Sequence, residues 1–121
     1  MLAHKKLSVW KESMDLVESV YMLTSSFPKS EIFGLTSQIR RAAVSVPANI
    51  SEGSARKSSK EFHYFLTISF GSLTELETLL IIAKELQYIN DDGFSQLHQQ
   101  IRVITTQLSN LIHAIEKKYQ G

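Results

Sequence analysis

Apolar residues recur at steps of three and four along most of this chain. The first run is Leu7, Trp10, Met14, Val17, Tyr21 and Thr24. The second is Leu35, Ile39, Ala42, Val46 and Ile50. The third is Phe62, Leu66, Ser69, Leu73, Leu76, Leu80 and Ala83. The fourth is Phe94, Leu97, Ile101, Ile104, Leu108, Leu111 and Ile115. Such spacing lays one apolar stripe along each of four helices. Alternating steps of three and four give a seven-residue period, which packs helices at about 20° in left-handed bundles. No stretch alternates apolar and polar residues as a half-buried strand would.

The residues between these runs punctuate them. Pro28 cannot continue a helix, so Ser25 to Ser30 separates the first two. Gly53 and Ser54 end the second. Ser58 and Glu61 have capping-box spacing at the start of the third, which stops near Leu86. Asn90, Asp91 and Asp92 cap the fourth and place negative charge at its positive end. Lys117 and Lys118 sit in its last turn, where cations suit the helix dipole. All three connections are short, so successive helices run antiparallel. The expectation is an all-α, up-down-up-down four-helix bundle, one domain over residues 1–121.

Two features exceed what a bundle core needs. The second helix has a back of Arg40, Val44, Pro47, Ala48 and Ser51, small or apolar apart from the arginine. The third carries Tyr64, Ile68, Leu79, Ile82 and Leu86 beside its core row, with Gly71 on the same flank. Surplus apolar surface of this kind predicts contact with another subunit. Pro47 removes one amide inside the second helix and crowds the Ala43 carbonyl. A kink is expected there, with Asn49 placed to satisfy the freed backbone.

Composition narrows the functional classes. The 121 residues are 43% hydrophobic and 21% charged, ordinary for a soluble domain. Net charge is +1, and the pI near 8.0 is lower than that of most dedicated nucleic-acid modules. There is no cysteine, which removes disulfides, thiolate chemistry and sulfur-bound zinc. The basic start MLAHKK is not followed by the apolar run of a signal peptide. The longest clean apolar run, Leu79 to Ala83, is far short of the roughly twenty residues of a membrane span. A cytoplasmic protein without a membrane partner is expected.

Candidate chemistry is sparse. A di-metal bundle site needs Glu-x-x-His on two helices, and that motif is absent. His63 lies two positions from Glu61, His113 and Glu116 have the reverse order, and His98 stands alone. All read as surface or packing residues. Glu75 and Glu77 point apart on a helix. No nucleophile elbow, phosphate loop or dinucleotide fingerprint occurs. No enzyme activity, cofactor, metal or small-molecule substrate is expected. One constellation stands out. Arg40, Arg41, Arg56, Lys57 and Lys60 fall within twenty-one residues whose single acid is Glu52. Free amides at the following helix start also attract phosphate. These residues are the candidate nucleic-acid contacts. The alternative is a solvated loop with arginines paired across a subunit interface, to which the guanidinium fork is suited.

The segments LSVWKESMDLVESVY, FPKSEIFGLTSQIRRAAVSVPANISEGSARKSSKEF and GSLTELETLL resemble the 23S rRNA intervening-sequence protein family, also called bacterial four-helix bundle proteins. The resemblance covers roughly Leu7 to Ile89, and the fourth helix matches in pattern alone. The family often has alanine where Ser51 stands and glycine where Gln87 stands. The resemblance implies an antiparallel bundle that assembles as a homopentamer and carries over no catalytic residues. Its fold is similar to the accessory protein of diversity-generating retroelements, a basic pentameric barrel. The implied role is a non-enzymatic adaptor for RNA or a ribonucleoprotein. The alternative is a structural homo-oligomer that binds a protein partner.

Overall fold

The computed structural model describes residues 3–120, so Met1 and Leu2 of the basic start lie outside the described residues. Four α-helices follow a short 3-10 turn: α1 (Ser8–Thr24), α2 (Leu35–Ser54), α3 (Ser59–Glu85) and α4 (Asp91–Gln120). There is no strand among the described residues. Each helix packs on its chain neighbours, and α1 also packs on α4, so the four enclose one shared core.

The stripes of α2, α3 and α4 form that core as the spacing predicts. Ile39, Val46, Ile50, Leu66, Leu73, Leu76, Leu80, Ile104 and Leu108 are buried. In α1 the buried stripe is instead Val9, Ser13, Leu16, Val20 and Thr24, while Met14 and Tyr21 are exposed. The two registers have the same spacing, and a serine in the true stripe conceals it. Ser13 is tolerated because its hydroxyl donates to the Trp10 carbonyl at 2.8 Å. Leu79, expected on the outer flank of α3, is 8% exposed and belongs to the core.

Helix α2 continues through Pro47, which is buried rather than on the outer back. Asn49 does not serve the carbonyl freed there. Its amide donates to the Ser45 carbonyl at 2.8 Å and the Ser45 hydroxyl at 2.9 Å. Ser45 in turn shares a 2.7 Å hydrogen bond with Ser72, and the Ser69 hydroxyl donates to the Val46 carbonyl at 2.8 Å. These polar pairs pin α3 to α2 where small residues let the backbones approach. Helix α3 is long and apolar enough to cross a bilayer by length and composition, although its longest unbroken apolar run is short. The Leu66, Leu73, Leu76 and Leu80 stripe accounts for much of that apolarity, and it is buried in the core.

Helix ends follow local chemistry. The Glu61 amide donates to the Ser58 hydroxyl at 3.1 Å, and the Gly93 amide to the Asn90 side chain at 2.7 Å. Both satisfy donors that have no partner inside the helix. The Leu35 amide at the start of α2 donates to the Glu31 carboxylate at 3.1 Å, a cap the sequence spacing did not suggest.

Candidate nucleic-acid interface

The five candidate residues divide into two groups. Arg56 and Lys57 lie in the α2–α3 turn, and Lys60 in the first turn of α3. Arg40 and Arg41 sit on α2 itself. At 1.5 Å per residue they are about 20 Å away along the helix.

At the turn, Gly53 lets α2 approach α3 closely, because a Cβ there would lie 2.7 Å from the Phe65 Cβ. The chain then reverses through Arg56 and Lys57. The Arg56 guanidinium pairs with Glu52 one turn back and stacks over the Phe65 ring, 4.7 Å from its centroid. Its charge is therefore partly answered within the chain. Lys57 and Lys60 are exposed and form no ion pair among the described residues.

The last turns of α4 reach the same place. His63 Nε2 lies 3.1 Å from the Glu116 carboxylate, and the His63 and Tyr119 rings meet edge to face. Lys117 and Lys118 flank this pair, both exposed. They bring two more lysines to the end of the bundle that carries Lys57 and Lys60; Arg56 answers Glu52 there, while Glu61 and Glu116 place two further carboxylates at the same end. Spacing along α4 alone marks these two lysines as dipole partners. The signal for their place here is the short α3–α4 connection, which predicts that the two helices run antiparallel.

Arg40 and Arg41 have other surroundings. Arg40 Nε donates to the Thr24 hydroxyl at 2.9 Å, and its guanidinium covers the Tyr21 ring at 4.5 Å. It holds the end of α1 to α2. Arg41 is exposed and lines a crevice of about 370 Å³ whose far wall carries Glu75. A second histidine–carboxylate pair, His98 with Glu77 at 3.1 Å, joins α4 to α3, and His98 stacks on Phe94. Neither histidine pair was visible in the spacing of either residue on its own helix. No group of three histidine, aspartate or glutamate side chains that could hold a metal ion occurs among the described residues.

The sequence model of the 23S rRNA-intervening sequence protein family matches residues 5–110. The chain belongs to that family. The match includes most of α4, beyond the Ile89 limit of the motif resemblance. Among solved structures, this family member is similar to a protein of unknown function from the S23 ribosomal protein family of Bacteroides thetaiotaomicron VPI-5482. That crystal structure is 24% identical, with a TM-score of 0.78 over 87% of this chain and 95% of the other. At this identity the likeness supports a shared fold. No curated protein matches the chain.

Proposed function

We propose that this 23S rRNA-intervening sequence protein is a non-enzymatic cytoplasmic adaptor. In this reading it is an up-down-up-down bundle that assembles as a homopentameric ring and binds RNA or a ribonucleoprotein. The observation that carries the proposal is that Lys57, Lys60, Lys117 and Lys118 are all exposed and lie on the segments that the His63–Glu116 pair joins, at the start of α3 and the end of α4. One subunit has a net charge of only +1 and holds a polyanion weakly. A ring repeats these lysines on one rim, so several weak contacts act on one strand. Avidity of this kind raises affinity by about a hundredfold or more. The contacts would be to phosphate, which release counterions and read no bases.

Assembly is supported by the outer face of α2 and the adjoining flank of α3. Val44 and Ala48 are exposed, with Tyr64, Ile82 and Leu86 also at the surface. A Cβ at Gly71 would meet nothing within 4 Å, so another backbone has room to approach there. The same face supports the second reading, a structural homo-oligomer with a protein partner.

The test is an RNA titration at two salt concentrations, with Arg56, Lys57 and Lys60 all changed to glutamine. Binding that falls steeply with salt and is lost in the triple variant supports the adaptor. Equal binding by both proteins at low salt removes these residues from the site. No binding by either protein leaves the second reading.

A further inference from the structure

A crevice of about 300 Å³ opens between the end of α1 and the start of α2. Thr24, Phe27, Pro28, Ile32, Thr36 and Arg40 are among its walls, and Lys29 also lines it. We propose that it binds a carboxylate carried on an apolar body.

Three observations converge on that chemistry. Arg40 is preorganised: Nε is fixed by the Thr24 hydroxyl, and the guanidinium plane is fixed over Tyr21. Thr24 is itself oriented, because its hydroxyl donates to the Val20 carbonyl at 2.8 Å. The terminal nitrogens of Arg40 make no hydrogen bond among the described residues, which leaves the fork that pairs with a carboxylate. Thr36 is only 2% exposed, yet its hydroxyl has no hydrogen-bond partner among the described residues. An unmet buried hydroxyl is costly, and a ligand oxygen in the crevice would meet that need. The remaining walls, Phe27, Pro28 and Ile32, are apolar and suit a hydrocarbon or aromatic body rather than a bare ion.

Charge selects a monoanion. Arg40 offers one fixed positive charge, and Lys29 a second on an exposed, flexible stem. The Glu31 carboxylate lies in the adjoining turn, where it accepts from the Leu35 amide and the Tyr88 hydroxyl. A phosphate dianion would be opposed by that carboxylate and would leave the apolar walls unused. Two sources supply the right group: a free aliphatic or aromatic acid, or the C-terminal apolar residue of a partner chain. This site lies away from those four lysines and does not rest on the RNA reading.

The test is an amide-resonance titration of the full chain with phenylacetate, its neutral analogue phenylacetamide, and inorganic phosphate. Phenylacetate should move the Thr24, Thr36 and Arg40 resonances. Removing the charge, by phenylacetamide or by Arg40→Gln, should weaken binding about tenfold or more. Thr36→Val should weaken it less, without loss of helical content. Phosphate that binds as well as phenylacetate overturns the proposal, as does an Arg40→Gln variant with wild-type affinity. If Arg40→Gln loses helical content, Thr36→Val decides, and unchanged affinity in it overturns the site. A peptide ending in phenylalanine separates the sources. Tighter binding than phenylacetate, lost on amidation, identifies a partner's C-terminus; binding no tighter identifies a free acid.

Discussion

The Tyr88 amide donates to the Ala83 carbonyl at 2.9 Å and closes the end of α3. Inside this bond the Gln87 amide donates to the Lys84 carbonyl, also at 2.9 Å. The pair forms a Schellman motif, which requires a left-handed residue between them. Gln87 occupies that position with φ 65°, where glycine would be unstrained. A side chain there costs about 1–2 kcal/mol, against about 0.5–1 kcal/mol of added chain entropy for glycine. The Gln87 side chain is exposed and loses no packing on removal. Gln87→Gly is expected to stabilise the fold by about 0.5–1 kcal/mol, read as a higher urea midpoint. A lower midpoint would contradict this account of the helix end.

Tyr88 also links the two loops at that end. Its hydroxyl donates to Glu31 at 2.9 Å, and its ring packs on Phe27. The hydrogen bond to Glu31, then burial, then the Glu31 charge raise the phenol pKa above its ordinary 10.0. The folded state therefore holds this proton more tightly than the unfolded state. The stabilisation is complete below pH 10 or so and is lost as pH rises through the folded value. Wild type should exceed Tyr88→Phe in stability at neutral pH, and the gap should close in alkali. Urea midpoints of both proteins across that range supply the check, and a gap independent of pH would reject the linkage.

What the sequence discloses depends on whether a signal is carried by one helix or by two. The stripes of α2, α3 and α4 are periodic and unbroken by polar residues, apart from Ser69, and they are the core. The α1 stripe contains Ser13, so its apolar signal is weaker than that of the parallel register through Met14 and Tyr21. Arg56 lies four residues after Glu52, a spacing from which their pairing follows. The Arg40 clamp is different, since it needs Thr24 and Tyr21 brought from another helix. So do the His63–Glu116 and His98–Glu77 pairs. Composition and spacing along one segment contain none of these.

Gly53 tests how closely α2 and α3 must approach. An added Cβ would lie 2.7 Å from the Phe65 Cβ and 2.9 Å from Phe62 Cδ1. The first neighbour sits at the base of its side chain, so a rotamer change cannot relieve the clash. Overpacking of this kind costs about 1–3 kcal/mol. The roughly 1 kcal/mol that alanine gains over glycine in a helix offsets only part of it. Gly53→Ala should lower stability by about 1 kcal/mol in equilibrium unfolding. A gain in stability would show that the two helices separate easily there.

Ala48 tests assembly without disturbing the fold. It lies on the exposed side of α2, beside Val44, which is 41% exposed in the single chain. A glutamate at this position would face water in a monomer and leave the core residues Val46 and Ile50 untouched. In a ring the same carboxylate would be buried against a neighbouring subunit without a partner. Burying an unpaired charge costs several kcal/mol, and one repeated head-to-tail contact closes the ring, so the cost recurs at every interface. Ala48→Glu is therefore expected to keep the helical content and unfolding midpoint of an isolated chain while losing the oligomer. Light scattering on wild type and variant, with circular dichroism on both, separates the outcomes. A wild type that is monomeric at micromolar concentration ends the assembly proposal. An oligomer that persists in the variant moves the interface away from the Val44–Ala48 face.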